Sequence, residues 1–220
     1  MKKTLLLCAG LLGPAGVFAG SPAANGVDLF VGAAELKLSD SEDSVKFSGY
    51  DYGTRAAFAL SPNVFVSGEY VRSTTDKSVD DVKIEIEPEE LRIGGGVKFA
   101  TSKAVNLFMG AQYARMDLDI TASDPSGSET ISAKADGYTL FGGADYSFNP
   151  GITLYGRLGY MSLDDDGDKM DGLDFLAGAQ YPISPSIGLF GEFRLTDLEF
   201  EGDGGSITFT AYRGGVRFSF

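Results

Sequence analysis

The chain has 220 residues, with 18 Lys and Arg against 31 Asp and Glu, one Cys, no His and no Trp, for a formal net charge of −13. The acidic balance argues against nucleic acid as a partner, and the lack of His removes imidazole bases, His metal ligands and Ser-His or Cys-His pairs. Thirty glycines without a Gly-X-Y period exclude collagen, and a hydrophobic content of 43% argues against disorder.

The first segment reads as a leader rather than part of the fold. Lys2 and Lys3 precede a short apolar run over 5–12, Gly13, Pro14 and Gly16 break any helix, and Val17 and Ala19 are small residues where a signal peptidase reads. Cleavage is placed after Ala19, giving a signal peptide over 1–19 and one domain over 20–220. The run is too short for a membrane anchor, which needs about 20 apolar residues. Leu7 before Cys8 does not suit lipidation.

Beyond residue 19 the chain alternates with period two. Val105, Leu107, Met109, Ala111 and Tyr113 share one face, and Asn106, Phe108, Gly110 and Gln112 the other. Ile152, Leu154, Gly156, Leu158 and Tyr160 likewise oppose Thr153, Tyr155, Arg157 and Gly159. Ten such segments are predicted: 27–38, 45–60, 64–73, 83–100, 105–120, 131–148, 152–163, 172–183, 187–201 and 207–220. Tight turns at 61–63, 101–104, 149–151 and 184–186 alternate with longer polar links near 39–44, 74–82, 121–130, 164–171 and 202–206. Pro62, Pro150 and Pro185 are each followed six residues later by a glycine, Gly68, Gly156 and Gly191, a repeat of the kind a meander of hairpins gives.

One face of the segments is apolar. The other carries Arg55, Glu69, Arg92, Lys98, Asp145, Arg157, Asp174, Glu192, Arg194, Arg213 and Arg217, with Asp28 and Asp51. Charges facing a closed soluble core would cost several kcal/mol each unless paired. An apolar face turned to lipid, with the polar face inside, fits better. The expected fold is therefore all-β: a closed antiparallel up-and-down transmembrane barrel of ten strands, eight being the alternative, with both mature termini on the periplasmic side. Tyr50, Tyr52, Tyr70, Tyr113, Tyr138 and Tyr160 form one outward aromatic row; Leu60, Phe99, Phe148, Tyr181, Phe218 and Phe220 form a second. The eight steps from Ile152 to Tyr160, at ~3.3 Å each and tilted ~40°, span roughly 20 Å, close to the ~25 Å apolar band of such barrels.

The last strand ends on Phe220, with Phe218, Val216, Gly214 and Tyr212 at every second position before it. On these residues the chain resembles the small bacterial outer-membrane β-barrels of the OmpA, OmpX and OmpW type, over 27–220. The resemblance implies a porin-like barrel of the Gram-negative envelope, among outer-membrane lipids and lipopolysaccharide. It makes Tyr212, Val216, Phe218 and Phe220 the assembly signal read by the barrel-assembly machinery.

Past the tyrosine row the pattern inverts. Glu35, Lys46, Glu85, Glu87, Arg115, Asp117, Asp119, Asp197, Glu199 and Thr208 take the outward face. Leu36, Phe47, Ile84, Ile86, Met116, Leu118, Leu198, Phe200, Ile207 and Phe209 turn inward. The barrel is expected to project beyond the membrane with a wet outer wall and an apolar interior, either a packed core or a pocket for a small apolar ligand. The inward charges read as a salt-bridged filling, with Arg55 opposite Glu69, in preference to an ion filter. Asp164, Asp165, Asp166, Asp168 and Asp171 read as a solvated acidic loop, because Gly167 is misplaced for a calcium loop and no Glu closes it. No cofactor, metal site or catalytic residue is expected. The function read from these features is a non-enzymatic structural or interaction barrel with acidic outer loops, the alternative being a narrow channel for small, apolar solutes.

Overall fold

The computed structural model describes residues 25–40, 43–79, 82–102, 104–125, 127–148, 151–165, 168–202 and 204–220; the leader read over 1–19 lies outside them. Ten strands follow one another: β1 (Gly26–Ser39), β2 (Ser44–Ser61), β3 (Val64–Val79), β4 (Val82–Ala100), β5 (Val105–Asp124), β6 (Gly127–Phe148), β7 (Ile152–Asp165), β8 (Asp168–Ser184), β9 (Ile187–Phe200) and β10 (Ser206–Ser219). Each pairs antiparallel with its neighbours in sequence, and β1 closes on β10, with Gly26 opposite Ser219. The ten-strand reading holds and the eight-strand alternative does not.

β1 begins and β10 ends at one end of the barrel, the near end. Three of its turns share one device. The hydroxyl oxygens of Ser61, Ser102 and Ser184 each accept from the backbone N–H groups two and three residues on, at 3.0–3.3 Å. The Ser61 and Ser184 turns belong to the proline-to-glycine repeat seen in the sequence, and the Ser102 turn shares the device without the proline. The fourth turn uses Gly151 at φ 124°, a conformation that favours glycine.

At the far end the longer polar links are largely taken up by strand. β3 runs on to Val79, β5 to Asp124 and β8 starts at Asp168, so the connections shrink to short turns. Thr, Ser and Asp lowered the strand reading there, yet ladder pairing overrides their weak preference. The β3–β4 ladder breaks only at Ser73 and Thr74, opposite Glu87 and Pro88, where proline has no N–H to give.

The wall is apolar outside between the two aromatic rows. Leu140, Leu158 and Leu173 are each more than half exposed, and all twelve residues of the rows face outward and exposed. Inside, the lower half is built on ring-on-glycine pairs. Phe30 lies directly opposite Gly53, Phe65 opposite Gly96, Phe108 opposite Gly143, Phe141 opposite Gly110, Tyr155 opposite Gly178 and Phe190 opposite Gly215. A Cβ at Gly143 would come within 2.4 Å of the Phe108 ring. The glycines therefore make the space in which inward rings lie flat against the neighbouring strand.

Candidate functional site

The barrel interior holds two stacked fillings, and strand alternation sets both of them. In the lower one the rings just described interleave with charges: Phe30 lies one inward step beyond the Asp28–Arg55–Arg217 level, and Phe141 one beyond Arg157. The charges form a connected ion-pair network of six arginines and six carboxylates. Asp28 bonds Arg217 at 2.6 Å and Arg55 at 2.8 Å; Arg55 continues to Glu192 at 3.0 Å. Glu192 meets Arg213, which binds Asp51 at 2.6 Å and Glu69 at 3.3 Å. Glu69 also takes Arg194, which reaches Glu90 at 3.1 Å and Asp174 at 3.2 Å. Asp174 closes the network by accepting from Arg92 at 2.9 Å and Arg157 at 2.7 Å, with the Thr196 hydroxyl at 3.0 Å. Arg213 and Arg157 further lie over the rings of Phe30 and Phe141, at 4.7 and 5.4 Å.

Three sequence expectations need correction here. Arg55 does stand opposite Glu69 in the ladder, but its guanidinium turns to Asp28 and Glu192 across the lumen, and Glu69 is taken by Arg194 and Arg213. A barrel interior is narrow enough for partners on distant strands to compete with the facing residue. Lys98 is half-buried near the near end and joins none of the ion pairs among the described residues. Asp145 is buried and accepts from Asn106 at 2.8 Å. Glu90, absent from the predicted inward charges although it shares the parity of Ile86 and Arg92, is a full member through Arg92 and Arg194.

Above the charges the filling turns apolar. Leu36, Phe47, Ile86, Met116, Leu198 and Ile207 lie buried in one cluster, with Ile84, Leu118 and Phe209 packed against it. Ala114, Ala135, Met161, Leu163 and Met170 complete it. Met170 had been assigned to a link, and β8 instead begins two residues earlier. Phe200 departs from expectation: it keeps inward parity but sits at the far rim, 36% exposed, where it neighbours Gly205. A ≈40 Å³ cavity lies between the two fillings, among Asp51, Glu90, Met116, Arg194, Phe209 and Arg213, and one of ≈10 Å³ lies lower, beside Glu69 and Arg157. Each has room for water and neither for an organic solute. A larger depression, ≈720 Å³, is on the outer wall among Met109, Leu140, Leu158 and Leu173, where lipid would lie.

In the acidic stretch between β7 and β8, Asp166 and Gly167 lie outside the described residues. Asp165 and Asp168 face each other across the turn, and Asp171 is on strand β8, not in a loop. Among the described residues no three acidic or Cys side chains are grouped to hold a metal ion. Tyr212, Phe218 and Phe220 lie exposed on the outer wall, Val216 less so, and the Phe220 ring touches Phe58 at 5.5 Å.

A closed ten-strand barrel with an apolar outer belt and a polar interior defines a bacterial outer-membrane β-barrel. The family comparison agrees: residues 4–175 match the outer membrane protein beta-barrel domain, and the chain belongs to that family. No curated protein matches it in sequence. Among solved structures it is similar to the outer membrane protease OmpT from Escherichia coli, with TM-score 0.54 and 9% identity over 94% of this chain and 100% of that one. It is also similar to Neisserial surface protein A, with TM-score 0.46 and 16% identity over 92% and 100%. The attachment invasion locus protein of Yersinia pestis gives 0.41 and 14% over 88% and 99%. At these identities the likeness is one of fold.

Proposed function

We propose that this protein is a closed, non-conducting and non-enzymatic barrel of the outer membrane, whose function is exerted at its far rim, outside the cell. The near end, where β1 begins and β10 ends, then faces the periplasm. The observation that carries the reading is the double filling of the lumen. Leu36, Met161 and Leu198 in the upper layer and Arg92 and Asp174 in the lower one have essentially no exposure. A solute would have to displace a packed apolar core and then an ion-pair network in which every arginine has a carboxylate partner. The upper layer thus acts as a core, with no pocket of the size an apolar ligand needs. The six carboxylates of the network are tied to arginines and are not free to act as acid–base pairs. Single-channel recording of the refolded protein in planar bilayers tests this. Electrically silent insertion is expected, and stable, reproducible conductance steps would overturn it.

A further inference from the structure

The lower of the two lumen cavities has a chemistry of its own. It measures ≈10 Å³, about the space of one water molecule. On one side stand Phe65, Phe108 and Phe141, which pack into one buried aromatic cluster. On the other stand Arg55, Glu69 and Arg157, none more than 5% exposed.

Each of these three charged groups uses every polar atom but one. Arg55 donates from Nε to Asp28 at 2.9 Å and from Nη2 to Glu192 at 3.0 Å. Glu69 accepts from Arg194 and Arg213, both at 3.3 Å and both on Oε1. Arg157 donates from Nη2 to Asp174 at 2.7 Å and from Nη1 to the Gln112 side-chain oxygen at 3.5 Å. Arg55 Nη1, Glu69 Oε2 and Arg157 Nε are left buried with no partner among the described residues. A buried atom of a charged group left so costs its full desolvation. The three residues come from β2, β3 and β7, yet all three line one water-sized space.

The leftover atoms also select the occupant. Two are N–H donors and one is a carboxylate acceptor. A chloride ion would take the two N–H groups but stand against the Glu69 carboxylate, and a metal cation would suit Glu69 but stand against both guanidiniums. Water accepts twice and donates twice, so it answers all three. Its second O–H has the Ser67 hydroxyl or the Gln112 side-chain oxygen on the same wall.

We propose that this cavity binds a single water molecule as a structural ligand, which accepts from Arg55 Nη1 and Arg157 Nε and donates to Glu69 Oε2. Arg55 and Glu69 face each other in the ladder without bonding directly, and the water makes them a bridged pair and ties β7 to it. The site depends neither on which end of the barrel faces the outside nor on whether the lumen conducts.

A crystal structure of the refolded full chain, at a resolution that shows ordered water, tests this beside a crystal soaked in sodium bromide, whose anion scatters anomalously. One peak is expected within hydrogen-bond distance, about 2.7–3.2 Å, of all three atoms, with no anomalous signal there. Ser67→Ala and Ser67→Val both remove the wall hydroxyl, but only valine pushes methyl groups into the cavity. With the heat-modifiable folded form retained, the peak should remain in Ser67→Ala and vanish in Ser67→Val. A bromide signal at the position would make it an anion site and overturn the proposal. So would an empty cavity, a direct Arg55–Glu69 bond that closes it, or a peak that survives Ser67→Val.

Discussion

Asp174 is the residue on which the lumen network depends most, and Asp174→Asn tests the whole account of the interior. Its carboxylate is fully buried and accepts from three guanidiniums, those of Arg92, Arg157 and Arg194, and from Thr196. The amide keeps the shape and removes the charge. Arg92 and Arg194 would still share Glu90, and Arg194 would keep Glu69. Arg157 has no second carboxylate in the network, only the Gln112 side-chain oxygen at 3.5 Å and the Phe141 face. The variant therefore strands one buried positive charge, and the cost expected for breaking a buried pair on one side is about 3–5 kcal/mol. Urea titration of the refolded barrel in detergent, followed by tryptophan-free circular dichroism and by gel mobility, measures it. The double variant Asp174→Asn with Arg157→Gln removes the stranded charge and should recover more than half of the loss, a coupling that a double-mutant cycle isolates. A single-variant loss below about 1 kcal/mol, the scale of an exposed pair, or strictly additive losses, would show that the network does not bear on stability as described.

Further outcomes follow from the same geometry. Phe47→Ala, at a buried position of the upper core, should cost about 3–5 kcal/mol, while Phe200→Ala at the exposed rim should cost far less; equal losses would return Phe200 to the core. Leu158→Arg puts a charge on the lipid side one outward step below Tyr160 and should destabilise in bilayers by an amount between the ~1 kcal/mol of the interface and the ~2–4 kcal/mol of the midplane, with little effect if that face is not in lipid. Gly143→Ala drives a Cβ into the Phe108 ring and the Gly156 carbonyl, whereas Gly156→Ala meets only the Leu176 carbonyl oxygen at 3.7 Å. Gly143→Ala should therefore lower the unfolding midpoint and Gly156→Ala should leave it level or raise it, and the same response at both sites would refute the ring-on-glycine packing.

Much of this was legible in alternation alone. Strand number, the lipid face, the inward charges and the inversion above the tyrosines all follow from period two, since each strand has only two faces to offer. What alternation could not supply is distance across the lumen. The Arg55 to Glu192 bond joins β2 to β9, and nothing local to either strand announces it. Strand ends were blurred for a related reason. Residues 74–79 and 121–124 are Thr, Ser, Asp and Lys rich, and they are strand because a neighbour pairs with them. Glu90 shares the inward parity of Ile86 and Arg92, and its bonds to Arg92 and Arg194 are what mark it as a member.

The charged and the apolar filling have a single physical origin. Where the wall meets lipid its outer positions must be apolar, so alternation leaves the inner positions to residues that lipid would not accept. Those groups, out of water, must satisfy one another, and six arginines with six carboxylates do so. Beyond the tyrosines the outside meets water, the constraint reverses, and the same alternation sends Leu, Ile and Met inward to form a core. The inversion fixes where the membrane ends on the far side. Strand continued above that line no longer serves to cross the bilayer, and its inward residues close the lumen instead.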